Sequence, residues 1–343
     1  MKNKKLLWIV AAIVLVGVAA LVIGLNCKGT NETTDPNETP IATKKVVMVI
    51  PATLQAFSEI EEGLKNTCQE PNYTVKVYSA EGDASKFGTV TNDALKTNPD
   101  YFVAIGSQIV TTALSDRNRE NMPPTIAGSI SVPSALPALV DIGINPPRTF
   151  PLNIVSQVPQ SSYKKVVDVL FQINPSIKKI GVLYNESEMN SNNMKLVFER
   201  LIAEAGAEFI PGAVTSPEDV SRITEKLIRL GADAIIIPHD KSATAKASTV
   251  ANLCNERNIL TASLDDGIIK DGIMFAVSVP YVEVGNLIGD VIVKSNEENI
   301  DLKNMPMIEI QESDLRVFVN ARLLLEKGIT LTEENTNSPI IEL

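Results

Sequence analysis

From Lys45 onward, short apolar runs rich in β-branched residues alternate with stretches that place apolar side chains at helical spacing. Runs at 46–50, 75–78, 101–105 and 125–127 predict four strands, and runs at 179–184, 208–211, 234–238 and 260–262 predict four more. Nearly all are continuously apolar, the pattern of parallel strands covered on both faces. With helices between them, the class is α/β.

The pattern repeats. Lys44-Lys45-Val46-Val47-Met48-Val49-Ile50 matches Lys178-Lys179-Ile180-Gly181-Val182-Leu183-Tyr184 at an offset of 134. Asn98-Pro99-Asp100 before one strand is echoed by Gly231-Ala232-Asp233 before another at an offset of 133. Two copies of one βα architecture predict two Rossmann-like lobes with parallel sheets joined by a hinge. The expected division is 45–156 plus 280–305 for lobe 1 and 157–279 plus 306–343 for lobe 2. Hinge points are expected near 156–158, Val279 and Met305. Loops at the carboxyl ends of such strands would line a cleft between the lobes.

Ahead of this region, Lys2, Lys4 and Lys5 precede an uncharged apolar run at 6–25, long enough to cross a bilayer once with the lysines inside. Residues 1–25 are expected to be a membrane anchor or signal segment, and 26–44, rich in Asn, Thr, Glu and Pro, a flexible linker. Cys27 is the candidate lipid attachment residue if the segment is processed as a lipoprotein signal. Either route holds the globular part on the extracytoplasmic face of a cell membrane.

Composition narrows the function. Of 343 residues, 44% are apolar, enough for a packed core, and the net charge of −10 argues against a grip on nucleic acid phosphates. Cys27, Cys68 and Cys254 fit no zinc or redox spacing, and His239, the single histidine, reads as a loop residue packed at a strand end. A hydrolytic triad therefore lacks raw material, and no Walker A loop, Gly-x-Ser-x-Gly elbow or Gly-x-Gly-x-x-Gly run is present. The adjacent acids Asp265 and Asp266, and Glu186 with Glu188, read as solvated loop carboxylates. No enzyme activity, metal or cofactor is expected.

Polar groups at predicted strand ends supply the candidate binding site. Asn190, Ser191, Asn192 and Asn193 sit between the strand ending at 184 and a helix expected from Met194, more amide and hydroxyl groups than one helix cap needs. Ser107 and Gln108 occupy the equivalent turn in the first half. Asp240 and Lys241 follow the third strand of the second half, where Asp240 suits either a helix cap or a ligand ammonium group. Asp265, Ser278 and Tyr281 follow later strands, and Tyr281 is a candidate for stacking on a ligand or for a place in the core or hinge.

The run 174–191, Asn-Pro-Ser-Ile-Lys-Lys-Ile-Gly-Val-Leu-Tyr-Asn-Glu-Ser-Glu-Met-Asn-Ser, resembles a Pro-x-x-Lys-x-Ile-Gly-x-x-Tyr-Asn-Pro-x-Glu-x-Asn-Ser motif of an ABC-transporter substrate-binding protein family that includes tryptophan- and tyrosine-binding lipoproteins. Ile237-Pro238-His239-Asp240 and Val317-Phe318-Val319-Asn320-Ala321 extend the resemblance, which spans about residues 45–330. It implies a periplasmic-binding-protein-like fold closing on a small polar or amino-acid-like solute, delivered to a permease driven by an ATPase. It carries Ser107, Asn190, Ser191 and Asp240 over as ligand contacts. The chain departs from the family at Ala52-Thr53-Leu54-Gln55, at Ile130-Ser131-Val132-Pro133 and at Val279-Pro280-Tyr281, so cargo identity stays open. A membrane-tethered sensory ectodomain and an α/β enzyme are the alternative readings.

Overall fold

The computed structural model describes residues 42–115, 122–130, 152–156 and 160–343. The expected anchor, most of the linker, Cys27, and Ser131 to Pro133 lie outside the described residues. Among those described, no helix is long and apolar enough to cross a membrane.

The first sheet holds β1 (Lys44–Ile50), β2 (Tyr73–Ser79), β3 (Tyr101–Ile105), β4 (Thr125–Gly128), β5 (Leu152–Ser156) and β11 (Ile308–Glu309), in the order β11-β5-β4-β3-β1-β2. The second holds β6 (Lys179–Asn185), β7 (Glu208–Val214), β8 (Ala234–Ile237), β9 (Leu260–Ser263), β10 (Phe275–Ser278), β12 (Arg316–Val319) and β13 (Ile340–Glu342), ordered β13-β12-β10-β9-β8-β6-β7. Every pairing is parallel except β10 with β12.

Helices α1 (Gln55–Thr67), α2 (Phe87–Leu95) and α3 (Ser107–Ala113) follow the strands of the first sheet. The second sheet carries α4 (Gln160–Ile173), α5 (Met189–Glu204), α6 (Val220–Arg229), α7 (Lys241–Thr244) and α8 (Ala247–Asn255). The chain then forms α9 (Tyr281–Glu297), α10 (Ala321–Glu326) and α11 (Glu333–Thr336). Continuous apolar strands are needed because both faces are covered. In β8, Ala234 and Ile236 join the cluster of Tyr163 and Phe198 from α4 and α5, while Ile235 and Ile237 join that of Leu227 and Val250 from α6 and α8.

The sequence repeat has a structural counterpart. Asp100 accepts from the backbone N–H of Lys45 at 2.8 Å, and Asp233 accepts from those of Lys178 and Lys179 at 2.8 and 3.0 Å. Each aspartate stitches the start of its lobe's first strand to the start of the third.

The boundary expected at 306 is corrected. β11 pairs with β5, so the chain remains with the first sheet through Glu309 and returns to the second only at β12. Met305 is thus not the crossing. Helix α9 also belongs to the first lobe, where it crosses α1 at backbone contact. A Cβ on Gly63 would run into the Val282 carbonyl and stand 2.9 Å from the Gly285 Cα; one on Gly289 would stand 2.5 Å from the Thr67 Cβ. Only glycine allows the two helices to approach this closely.

Candidate functional site

The carboxyl ends of the two sheets face each other, and side chains bridge them. Lys241, at the start of α7 in the second lobe, donates from Nζ to the Gly82 carbonyl of the first at 2.5 Å. Lys270, in the 3-10 turn Asp266–Asp271, donates to Gln55 Oε1 at the start of α1, at 2.8 Å. Gln55 in turn donates from Nε2 to Glu59 Oε1 at 2.8 Å. Loops that follow strands of the two sheets meet at these bridges.

On the second lobe, Asn185 at the end of β6 is the hub. Its backbone N–H donates to Ser191 Oγ at 2.9 Å and to Asp240 Oδ2 at 2.6 Å, and its Nδ2 donates to Ser242 Oγ at 3.0 Å. Ser191 Oγ donates to Asp240 Oδ2 at 2.5 Å, and Asp240 Oδ1 accepts from Ala243 N at 2.9 Å, capping α7. Ser191 and Asp240 are 0% and 1% exposed. Burial and mutual bonding make them a brace between the β6 and β8 loops. Asn185 escaped the sequence reading, although it stands inside the motif that carries the resemblance.

The helix expected from Met194 begins at Met189, so Asn190 to Asn193 form its first turn. Asn192 Nδ2 donates to the carbonyls of Glu186 and Glu188 at 2.7 and 3.1 Å, and the half-buried Asn190 reaches the His239 carbonyl at 3.4 Å. The asparagines tie the loop backbone down. Glu188 is half-buried beside them, and burial, with the Asp240 charge adding and Lys241 opposing, pushes its carboxyl up to about 7. It is not the freely solvated acid expected.

In the first lobe Gly106, at φ +82°, occupies the cap position of α3, so Ser107 is the first helical residue and does not cap. Ser107 is half-buried and Gln108 exposed. Lys241 belongs to the bridge across the cleft.

The loop after β9 departs most from expectation. Asp265 is half-buried and its Oδ1 accepts from Gly267 N at 3.0 Å. Asp266 Oδ1 is buried, and burial, reinforced by Asp265, pushes its carboxyl up to about 7. Tyr281 is 3% exposed, and burial lifts its phenol well above the ordinary value. Tyr281 packs in the core. His239 lies beside Asp265, and burial lowers its imidazole.

Among the described residues, no group of three or more His, Cys, Asp or Glu side chains is arranged to hold a metal. A hollow of about 320 Å³ lined by Glu312, Leu315, Glu333 and Asn337 belongs to the segment around β12 and β13, apart from the cleft loops.

Two largely parallel α/β sheets, bridged between the loops at their carboxyl ends, define a two-lobed α/β protein. The chain belongs to the ABC transporter substrate binding protein family, which it matches over residues 43–340. A tyrosine-binding protein of Clostridioides difficile (strain R20291) is 21% identical over 154 residues; the match spans less than half of either protein, 45% of this chain and 44% of the relative.

Solved structures share the fold. An ABC domain from Streptococcus pneumonia in complex with L-Trp superposes with a TM-score of 0.74 at 18% identity, covering 88% of this chain and 100% of that one. The ligand-free, open structure of a substrate binding protein with adhesive properties from Clostridium difficile gives 0.67 at 19% identity, covering 88% and 99%.

Proposed function

We propose that this chain captures a small polar or amino-acid-like solute between its lobes and presents the closed form to a permease and its ATPase. The two side-chain bridges across the cleft carry this reading, because they join the lobes only when the cleft is shut. Family membership and the tyrosine- and tryptophan-linked relatives support an amino-acid-like cargo. The absence of a triad or cofactor motif in the sequence supports capture without turnover. The apolar run at 6–25 supports attachment to a cell membrane with the lobes on the extracytoplasmic face, through an uncleaved helix or a lipid on Cys27.

The test is a thermal-shift screen of the full chain against amino acids, nucleosides, vitamins and small oligosaccharides. A ligand at 100 times its dissociation constant adds about 2.7 kcal/mol of stability, a rise of several degrees at this size. A shift from one compound class without turnover supports the reading. No shift across the panel with the protein folded removes it and favours a sensory or protein-binding role.

A further inference from the structure

Resting on the solute-capture reading, we propose that Thr53 and Glu81 are positioning residues for closure. They hold the Gly82 carbonyl in place within the first lobe, so that Lys241 meets a ready acceptor and the lobes clasp even without solute.

The acceptor stands on an uncommon backbone. Glu81 has φ +51° and Gly82 φ +75°, two successive residues in the left-handed region. Glycine enters that region freely, whereas glutamate does so rarely. A residue held in a disfavoured conformation needs surroundings that over-determine it, and such residues gather at functional sites.

At Glu81 those surroundings are specific side chains. Thr53, five residues before the end of the first turn of α1 and just past β1, donates from its hydroxyl to Glu81 Oε1 at 3.1 Å and lies 3.3 Å from Ser79 Oγ. Ser79 Oγ accepts from the Glu81 backbone N–H at 3.1 Å. The bonds from Ser79 and Thr53 lower the Glu81 carboxyl, which keeps it a charged acceptor. Behind them, the Gly82 N–H donates to the Pro51 carbonyl at 2.8 Å and the Ala80 N–H to the Ile50 carbonyl at 3.1 Å.

Every one of these bonds joins the loops after β1 and β2, within the first lobe. The Gly82 carbonyl is therefore set with no contribution from the second lobe, and Lys241 completes the contact from the other side. The second bridge follows the same plan. Glu59 holds the Gln55 amide nitrogen inside α1, which leaves the amide oxygen to Lys270. An acceptor fixed in advance costs less conformational entropy at closure than one that must first be ordered.

The test reads the clasp directly. The full chain, without solute, is acetylated at low conversion with N-hydroxysuccinimidyl acetate. Labelling of Lys241 is followed by peptide mass spectrometry relative to Lys96, an exposed lysine of the first lobe. Wild-type Lys241 is expected to label more slowly than Lys96. T53V keeps the shape of the side chain but not its hydroxyl, and should raise the relative labelling of Lys241 at least about threefold. T53S keeps the hydroxyl and should match wild type, a rescue that a purely space-filling role would not give. E81A should behave as T53V does, and the double variant no worse than either, because both remove the same bond. Thr53 and Glu81 are exposed, so the variants are expected to fold. Unchanged labelling in T53V and E81A, equal gains in T53S and T53V, or wild-type Lys241 labelled as fast as Lys96 overturns the proposal and leaves solute capture standing. The expected labelling, combined with no thermal shift from any compound of the panel, supports the positioning roles and counts against capture.

Discussion

Lys241 spans the cleft to the carbonyl oxygen of Gly82. The acceptor is available because Gly82 sits at φ +75°, and a Cβ there would lie 2.9 Å from the lysine Nζ. The contact thus depends on the lysine's length and on the bareness of the glycine. K241M and G82A should each weaken solute binding about three- to tenfold, the worth of one hydrogen bond made in the closed form alone. Small-angle scattering should show a larger radius of gyration for either variant at equal ligand saturation. Unchanged affinity and radius would mean that the bridge does not contribute to closure.

The brace around Asn185 should matter for stability before it matters for binding. D240A leaves the Asn185 N–H, the Ser191 hydroxyl and the Ala243 N–H short of their shared acceptor. A loss of about 2–4 kcal/mol is expected in urea unfolding. S191A removes one donor and one acceptor and should cost about 1–2 kcal/mol.

The raised carboxyls fix the sign of a pH effect. Asp266 and Glu188 are both pushed up to about 7, so between roughly pH 4 and 7 the folded chain holds protons that the unfolded chain has released. Each group therefore makes the unliganded protein less stable as pH rises through that window. His239 acts oppositely: its lowered imidazole makes acid unfolding easier below about 6.5. The difference between wild type and D266N isolates one carboxyl. Without ligand, D266N should melt at least about 2 °C higher at pH 8, and the gain should fade toward pH 4. A residue serving only the fold would give a loss.

G285A tests the helix crossing. A methyl group there would strike the Ile60 carbonyl and stand 2.8 Å from the Gly63 Cα, so α9 must back away from α1. About 2–4 kcal/mol of stability should be lost. L196A, at an exposed position on α5, is the control and should stay within about 0.5 kcal/mol.

The strands were legible wherever a continuous apolar run met a turn. Burial on two faces leaves that mark without any tertiary knowledge, and all eight expected strands fall on observed ones. The paired roles of Asp100 and Asp233 were foreshadowed by their matching places in the repeat. Strands β5, β10, β11, β12 and β13 had no expected range, and β11 and β13, of two and three residues, are too short to hold a period. The start of α5 was hidden because four polar residues look like a loop until Asn190 and Asn192 are seen holding loop carbonyls. At the candidate site, the partners of each loop side chain were beyond what the sequence shows. Asp265 and Asp266 are alike in sequence; Ser278 and Tyr281 set Asp266 apart, and they arrive with the next strand and the hinge.

The glycine crossing of α1 and α9 bears on how the chain comes to be assembled. The first lobe needs a helix that begins at Tyr281 and a strand ending at Glu309, and the second needs β13, which ends at Glu342. The two lobes are interleaved along the chain: the first is incomplete without residues 281–309, which follow most of the second. Neither lobe is therefore a continuous stretch of sequence, and the bare glycines of α9 meet Gly63 and Thr67 of α1 across more than two hundred intervening positions.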